Sequence, residues 1–270
     1  MVELTNEELN SLNRVILTRY GIDFTSYETG SFKRRVARAI SVFNLESVHS
    51  LWAKLLKERD FIYPFIDELT VGLTAMFRDP ILWISLKKVL RTYHEKDPIH
   101  IWHAGCSTGE EVFTMGILLD ELNLASQAKA LATDLNQGAV KAAREGKYRK
   151  QVMDEYIQNF REYNSVKRFE SYYTPHGDTV CFNQSLIRHV EFQNHNLIMD
   201  KMEQKFDIIF CRNVMIYFDT ATKLRLLQQF YDCLNPGGYF IIGFYDALVP
   251  LIDEKKFEFF DLNAKIFRKI

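Results

Sequence analysis

The sequence predicts an α/β fold in which a mostly parallel β-sheet follows a block of helices. Three observations support this prediction: the first 70 residues have helical periodicity, strand-like and helix-like segments alternate after residue 98, and the chain ends in two adjacent β-like segments. Alternating strands and helices are typical of parallel strands joined by crossover helices, whereas a terminal β-pair indicates one antiparallel strand.

The composition is that of an ordinary globular chain. Of its 270 residues, 47% are hydrophobic and 26% charged, which is enough for a core and excludes disordered, collagen-like and coiled-coil proteins. No apolar run reaches the ~18–20 residues of a membrane span, and the acidic N-terminus lacks the apolar segment of a signal peptide. We therefore expect a cytoplasmic protein without membrane insertion.

Net charge and cysteine spacing bear on binding of nucleic acid and of metal ions. With 34 basic and 35 acidic residues the net charge is −1, so the chain has no general attraction to nucleic acid. The four cysteines are widely spaced, without a C-x-x-C pair or partnering histidines. This pattern favours reduced thiols and predicts no metal site.

The N-terminal block reads as a small helical bundle. Thr5 and Glu8 form a candidate capping box for a helix that stops at Gly21. Further helices are expected at residues 32–43, 48–56 and 61–69. The second carries four positive charges within six residues, on Lys33, Arg34, Arg35 and Arg38. Such a run is usually a solvated helix face.

The second part of the chain supplies the sheet. Strands are predicted at 99–104, 128–133, 206–211 and 239–243, followed by β-like pieces at 257–262 and 265–268. Helices are predicted at 110–122, 136–145 and 220–234. Residues 150–195 interrupt this alternation, and we interpret them as containing an inserted small β element.

The loop after the first strand is the main functional signal. Gly105 and Gly109 bound a turn between a strand and a helix, where backbone N–H groups can approach a ligand. The spacing is G-x-x-x-G, not the G-x-G-x-x-G of nicotinamide-dependent dehydrogenases, and the helix opens with Glu110 and Glu111. Two carboxylates would repel a pyrophosphate but could hold an ammonium group, as in S-adenosylmethionine. Acidic residues in a first turn also simply suit the helix dipole.

Asp134 ends the second predicted strand, 25 residues after Gly109. An acidic side chain at this place commonly accepts hydrogen bonds from both ribose hydroxyls of a nucleoside. Asp134 could equally cap the helix that begins near Asn136, and its position fits NAD and S-adenosylmethionine alike. The double glutamate and the Asn-Pro-Gly-Gly turn at 235–238 favour the methyl donor.

Arg212 and Asn213 follow a buried strand, at the edge of an open α/β sheet where ligands bind. An arginine that ends an apolar strand needs a partner for its charge. That partner could be a ligand, or it could be Glu110 or Asp207. Tyr217, slightly further on, could belong to the site or to the core.

Four blocks together resemble the CheR-type chemotaxis receptor methyltransferases. They are LTAMFRDP at 73–80, WHAGCSTGEE at 102–111, ATD at 132–134 and FDIIFCRNVMIYFD at 206–219. The resemblance implies a Rossmann-like class I methyltransferase sheet with helices on both faces. It also implies an N-terminal helical domain at 1–70, a linker and pocket-forming helix at 71–97, and a cofactor-binding domain at 98–270. The inserted β-subdomain is expected at about 168–194.

The resemblance further implies an activity and a site. Members transfer a methyl group from S-adenosylmethionine to glutamate side chains of chemoreceptor helical bundles, leaving S-adenosylhomocysteine. Arg78 and Tyr217 match positions near the reacting centre, and the basic second helix, with Lys33, Arg34, Arg35 and Arg38, matches the receptor-docking surface. The implied cofactor pocket consists of Thr74, Arg78, Gly105, Glu111, Asp134, Asn196, Leu197, Arg212 and Asn213. We expect a monomer.

Three departures from the family pattern bear on this expectation. Gly72 replaces an asparagine, Gly243-Phe244-Tyr245-Asp246 replaces Gly-His-Ser-Glu, and the inserted element contains the single glycine Gly177. We expect cofactor binding to persist, and the third departure argues against tethering to a receptor tail peptide. The alternative function is a non-catalytic S-adenosylmethionine-binding scaffold or sensor. A carboxylate on another signalling protein also remains open as the substrate.

Overall fold

The N-terminal region folds into helices, as its periodicity predicts. In the computed structural model, which describes residues 4–69, 74–93, 98–164, 166–246 and 248–270, these are α1 (Asn6–Tyr20), α2 (Thr29–Val42), α3 (Val48–Lys57) and α4 (Ile62–Leu69). The capping box of α1 is confirmed: Thr5 Oγ1 accepts from the Glu8 backbone N–H, and Glu8 accepts from the Thr5 backbone N–H. α2 begins at Thr29, before its predicted start, because Glu28 accepts hydrogen bonds from two N–H groups of its first turn.

The second part of the chain alternates strands and helices. After α5 (Pro80–Leu90) come β1 (Ile99–Ala104), α6 (Glu110–Glu121), β2 (Ala128–Asp134), α7 (Gln137–Glu145), β3 (Lys147–Arg149) and α8 (Met153–Tyr163). The remaining elements are β4 (Tyr173–His176), β5 (Thr179–Phe182), β6 (Val190–Asn194), β7 (Phe206–Cys211), α9 (Thr220–Cys233), β8 (Leu234–Ile242), β9 (Phe257–Asp261) and β10 (Ile266–Lys269).

Seven strands form the main sheet in the order β6-β2-β1-β7-β8-β10-β9. The first five run parallel, and β10 pairs antiparallel with both of its neighbours, as the terminal β-pair predicts. The strand order reverses between β1 and β7, which is the switch point where open α/β sheets bind ligands.

Side chains alternate between the two faces of the sheet, and helices cover both. On β1, Ile101 packs with α5, α6 and α8, whereas Trp102 packs with the N-terminal helices and α9. On β7, Phe210 belongs to the same core cluster as Ile101, and Cys211 belongs to the same core cluster as Trp102. The N-terminal helices therefore share one apolar core with the sheet, which brings α2 close to the strand ends.

The region between α7 and β7 differs from the prediction. The small second sheet has the order β3-β5-β4, so it begins at Lys147 instead of near residue 168. β6, which we assigned to the insertion, pairs with β2 in the main sheet. An unpredicted helix, α8, packs its aromatic face with the main core, with Tyr156 and Phe160 almost fully buried.

The start of β8 differs from the prediction. β8 begins at Leu234, so the predicted turn at 235–238 lies within the strand, where the register against β7 shifts between Phe206 and Ile208. Within the described ranges, none of the helices has the length and apolar character needed to cross a bilayer. Gly72 and the first residue of the 73–80 block lie outside the described residues.

Candidate functional site

A cavity of about 360 Å³ lies at the carboxyl ends of β6, β2, β1 and β7. This volume falls within the ~300–1,000 Å³ of small-molecule sites. The lining contains every residue that the family resemblance implies for the cofactor pocket or the reacting centre: Thr74, Arg78, Gly105, Glu111, Asp134, Asn196, Leu197, Arg212, Asn213 and Tyr217. Residues from five segments of the chain thus line one cavity.

Backbone geometry fixes the loop after β1. Gly105 has φ +90°, and a Cβ at this position would lie 2.4 Å from Cγ2 of Val214 in the loop after β7. Only glycine adopts this conformation without strain and lets the two loops approach so closely. The N–H groups of Gly105 and Cys106 both donate to the carbonyl of Thr133 at 2.8 Å, which ties the loop to the end of β2.

Asp134 is the carboxylate that the sequence predicts at the nucleoside-binding position. Its Oδ2 accepts from the Ser107 N–H and its Oδ1 from the Asn136 N–H, both at 2.9 Å. Asn136, not Asp134, caps α7 by accepting from the Ala139 N–H. Burial raises the pKa of Asp134 despite these hydrogen bonds. The carboxylate therefore joins both loops, and its remaining lone pairs are available to hydroxyl donors.

The two glutamates that open α6 face different environments. Glu110 lies in the core, where its carboxylate accepts from Tyr156 Oη at 2.9 Å and Thr108 Oγ1 at 2.7 Å, and burial raises its pKa. Glu111 lines the cavity. Our interpretation that both carboxylates face a ligand is therefore wrong for Glu110, because successive helix positions point about 100° apart.

Glu111 belongs to a buried charge network. Its Oε1 lies 2.8 Å from His103 Nδ1, and its Oε2 accepts from Arg212 Nη1 at 3.1 Å. Burial alone would raise the pKa of Glu111, but the hydrogen bond from His103 and the charge of Arg212 outweigh it, so the pKa is lowered. The lowered pKa favours the ionised form of Glu111, which can bind an ammonium group.

Arg212 is the centre of the network. Its side chain is 4% exposed, and its Nη2 lies 2.7 Å from Asp79 Oδ2 and 3.1 Å from the Arg78 carbonyl. The ion pairs thus involve Glu111 and Asp79, and not Glu110 or Asp207, which we considered as alternatives to a ligand. This arrangement fixes the turn that carries Arg78, because both residues before α5 contact the same guanidinium.

Arg78 and Tyr217 are both half-buried on the cavity wall. The Tyr217 ring lies nearly parallel to that of Tyr27, with centroids 6.4 Å apart and planes inclined by 9°. Tyr27 comes from the N-terminal helical region and also lines the cavity. The wall near Tyr217 is therefore shared between the helical region and the sheet.

Asn213 is held from behind by Asp246. The Asp246 carboxylate is fully buried and its Oδ2 accepts from the backbone N–H groups of Asn213 at 2.8 Å and Gly243 at 2.6 Å. Burial raises the pKa of Asp246 to about 6. In segment 243–246, which departs from the family pattern, Asp246 thus holds the loop that carries Asn213. Phe244 and Tyr245 of the same segment are exposed.

Sequence reasoning missed several residues of the lining, notably Asp23, Tyr27 and Asp67 from the N-terminal region and His195 after β6. Asp67 accepts a hydrogen bond from the side chain of Asn136, which links α4 to the loop after β2. No local pattern marks the first three, since their role arises only when the helices pack on the sheet. His195, directly before Asn196 at a strand end, could have been found from its position.

The four basic residues of α2 do not form one surface. Arg34 and Arg38 are exposed, with Arg38 Nε 3.3 Å from Glu68 Oε2, and Lys33 is half-buried. Arg35 is half-buried, and its guanidinium carbon lies 4.3 Å from the centroid of the Tyr217 ring. Helical spacing explains the difference, because Arg35 lies three residues after the buried Phe32.

Two family models match the chain. The SAM-binding domain of the CheR methyltransferases matches residues 72–266, and the all-alpha domain of the same family matches residues 7–70. The chain belongs to the CheR methyltransferase family. The recognition of this family, and of its methyltransferase fold, from sequence is thereby confirmed.

Relatives align over most of the chain. The Pseudomonas putida protein Cher3 is 32% identical over 98% of this chain and 97% of its own length. A chemotaxis protein methyltransferase of Listeria innocua is 30% identical over 85% of this chain and 86% of its own. That of Vibrio parahaemolyticus is 28% identical, with 100% and 98% covered.

The cofactor of this CheR family member is S-adenosylmethionine. The cavity fits this molecule, which joins a nucleoside to a short chain carrying an amino group. One buried carboxylate, Asp134, stands at the end of β2, and a second, Glu111, stands beside β1 with its charge maintained. Between them the backbone of Gly105 passes close to Val214, an approach that a Cβ would block. The chain is a methyltransferase.

Proposed function

We propose that the protein methylates glutamate side chains on the cytoplasmic helical bundle of chemoreceptors and forms glutamate methyl esters. The chemotaxis methyltransferases of Listeria and Vibrio support this assignment by their similarity over most of the chain. The chain carries Arg78 and Tyr217 at the positions that the family resemblance associates with the reacting centre.

The residues of the cavity receive the following roles in this proposal. Asp134 accepts hydrogen bonds from the ribose hydroxyls, and Glu111 binds the amino group of the methionine part. Thr74, Gly105, Asn196, Leu197, Arg212 and Asn213 complete the cofactor pocket. The support is the charge pattern: one carboxylate lies on each side of the Gly105 loop, and Glu111 has a lowered pKa.

The chemistry requires little from the protein. S-adenosylmethionine supplies an electrophilic methyl group on a sulfonium. A glutamate, with an ordinary pKa near 4.3, is already ionised at pH 7, so no general base is needed. The protein must bring a carboxylate oxygen to about 3 Å from the methyl carbon and exclude water that stabilises the anion. Arg78 is too weak an acid to transfer protons, so it orients the carboxylate or the cofactor.

One observation supports catalysis in particular: Arg78 and Tyr217 line the same cavity as Asp134 and Glu111. A scaffold that only binds the cofactor would have no need for a polar wall at the methyl-bearing end. The exposed Arg34 and Arg38 lie on the same helix that reaches Tyr217, so an acidic partner held there would lie near the cavity.

The test is transfer of tritiated methyl from S-adenosylmethionine to cytoplasmic fragments of chemoreceptors encoded in the same genome. We expect incorporation that is released as methanol by mild base, since esters are base-labile. Receptor fragments in which the candidate glutamates are replaced by alanine serve as the matched control and should remain unlabelled. Label stable to base would contradict ester formation. Cofactor binding without any incorporation would favour the scaffold alternative.

A further inference from the structure

Arg35 is placed differently from the other basic residues of α2. Arg34 and Arg38 are exposed, and Arg38 pairs with Glu68 on the surface. Arg35 is half-buried and its guanidinium donates through Nη1 to the carbonyl of Leu69, the last residue of α4. Its charge is thus directed to the inside of the N-terminal helical region and not to an approaching partner.

The guanidinium of Arg35 also packs on the ring of Tyr217, with 4.3 Å between its central carbon and the ring centroid. A cation at this distance from an aromatic ring is attracted to it, and more strongly where water is partly excluded. The planar guanidinium can pack on a ring while one of its N–H groups donates elsewhere. An ammonium group is a compact point charge and does not reproduce this geometry.

The backbone joins the same two segments. The Glu28 N–H donates to the Tyr217 carbonyl at 2.8 Å, and the Asp219 N–H donates to the Ser26 carbonyl at 3.0 Å. The chain entering α2 thus forms a short antiparallel bridge with the loop after β7, between Tyr27 and Phe218. Tyr217 is therefore fixed at its carbonyl by the segment before α2 and at its ring by Arg35 and Tyr27.

We propose that Arg35 is a positioning residue for Tyr217 and not a receptor-docking residue. By holding the ring against the cavity wall, Arg35 keeps that wall in the geometry that methyl transfer needs. This inference rests on the proposed function. It divides the basic helix into two parts: the half-buried Lys33 and the exposed Arg34 and Arg38 remain available for docking, whereas Arg35 acts through Tyr217 on turnover.

The first experiment separates turnover from docking by steady-state kinetics with the receptor fragments named above. We expect Arg35→Lys to lower kcat about tenfold and to change the receptor KM less than about twofold, since displacing a positioned group acts on the chemical step. Arg38→Ala should instead raise the receptor KM. Arg161→Ala, on the exposed surface of α8, is the control variant and should behave as wild type. A raised KM with unchanged kcat for Arg35→Lys would overturn the proposal.

A double-mutant comparison tests whether Arg35 acts through the ring. In a Tyr217→Phe background the ring persists, so Arg35→Lys should again cost about tenfold. In a Tyr217→Leu background the ring is gone, and the same change should cost less than about twofold. An equal loss in both backgrounds would show that Arg35 acts independently of Tyr217.

A readout without turnover distinguishes this inference from the proposed function. In protein labelled with 3-fluorotyrosine, the Tyr217 signal is assigned by its loss in Tyr217→Phe. We expect Arg35→Lys to shift that ¹⁹F signal and Arg38→Ala to leave it in place. An unshifted signal would refute the contact, whereas a shifted signal with no receptor methylation by wild type would refute the proposed function alone. Titration with S-adenosylhomocysteine verifies that each variant is folded.

Discussion

The two ends of the cavity are constructed in different ways. At the end that we propose holds the nucleoside (the nucleoside end), near Asp134, backbone N–H groups join the loops after β1 and β2, and Gly105 adopts a positive φ. At the reacting end, Glu111, Arg212 and Asp79 meet as charged side chains from three separate segments. Tyr217 is held there by a fourth segment, α2.

This contrast predicts different responses to substitution. In the proposed cofactor pocket the nucleoside end depends on one carboxylate, because Asp134 joins both loops and is proposed to accept hydrogen bonds from the ribose. The reacting end distributes its charge over several partners, so that Arg212 retains Asp79 when Glu111 is neutralised. We therefore expect the effect of a single substitution to be largest at Asp134, smaller at Glu111 and smallest at Asp246, which supports the loop that carries Asn213.

The largest effect is expected for Asp134→Ala. Loss of two charge-assisted hydrogen bonds to the ribose, each worth about 1.5–3 kcal/mol, should weaken binding of S-adenosylhomocysteine at least about 100-fold. Asp134→Asn, which keeps one acceptor oxygen, should lie between this variant and wild type. Isothermal titration measures both. A change below about fivefold for Asp134→Ala would remove the basis of the comparison, because the nucleoside would then be held elsewhere.

The sequence predicted the positions of the loops near Asp134 better than the charge partners of Arg212, and the reason is physical. Gly105 and Asp134 act through the backbone next to them, so their spacing along the chain carries the information. The contacts of Arg212 with Asp79, and of Arg35 with Tyr217, join residues more than 100 positions apart and arise only from packing. Residue type and position alone leave such partners undetermined.

The same reason explains the errors in the fold. The strand–helix alternation was predicted correctly because periodicity is local. β6 was assigned to the insertion because nothing in Val190–Asn194 reveals which strand it will pair with, and only the sheet shows β2 as its neighbour. The separation of Glu110 from Glu111 could have been expected, since adjacent positions on α6 point about 100° apart.

The variants Glu111→Gln and Glu110→Gln test whether the two adjacent glutamates have different roles in cofactor binding. Glu111→Gln removes the negative charge that faces the ligand and should weaken S-adenosylhomocysteine binding about tenfold, the loss of one charge-assisted interaction. Glu110→Gln replaces a buried acid whose pKa is already raised, so affinity should change less than about twofold. If both variants weaken binding equally, the two adjacent glutamates do not have the separate roles that their contacts indicate.

The smallest effect concerns Asp246, which supports the reacting end from behind. Burial raises the pKa of Asp246 to about 6, above its ordinary value of 3.8, so its contribution to folding stability is full below about pH 3.8. That contribution is lost as the pH rises through 6. Between pH 5 and pH 7 the free energy of unfolding should therefore fall by about 1 kcal/mol more in wild type than in Asp246→Asn. Denaturant unfolding at the two pH values measures this difference.

Glu28→Gln provides the control of opposite sign for the Asp246 experiment. Hydrogen bonds from the backbone N–H groups of Gly30 and Ser31 lower the pKa of Glu28, so its contribution is present above its unfolded pKa and lost as the pH falls. Its effect on the free energy of unfolding should therefore appear in acid and not between pH 5 and pH 7.

Parallel pH profiles of the free energy of unfolding for wild type and Asp246→Asn would show that Asp246 is ionised without cost in the folded protein. The loop that carries Asn213 would then be fixed by charge, as Glu111 and Arg212 are, and the supporting carboxylate would belong to the same network.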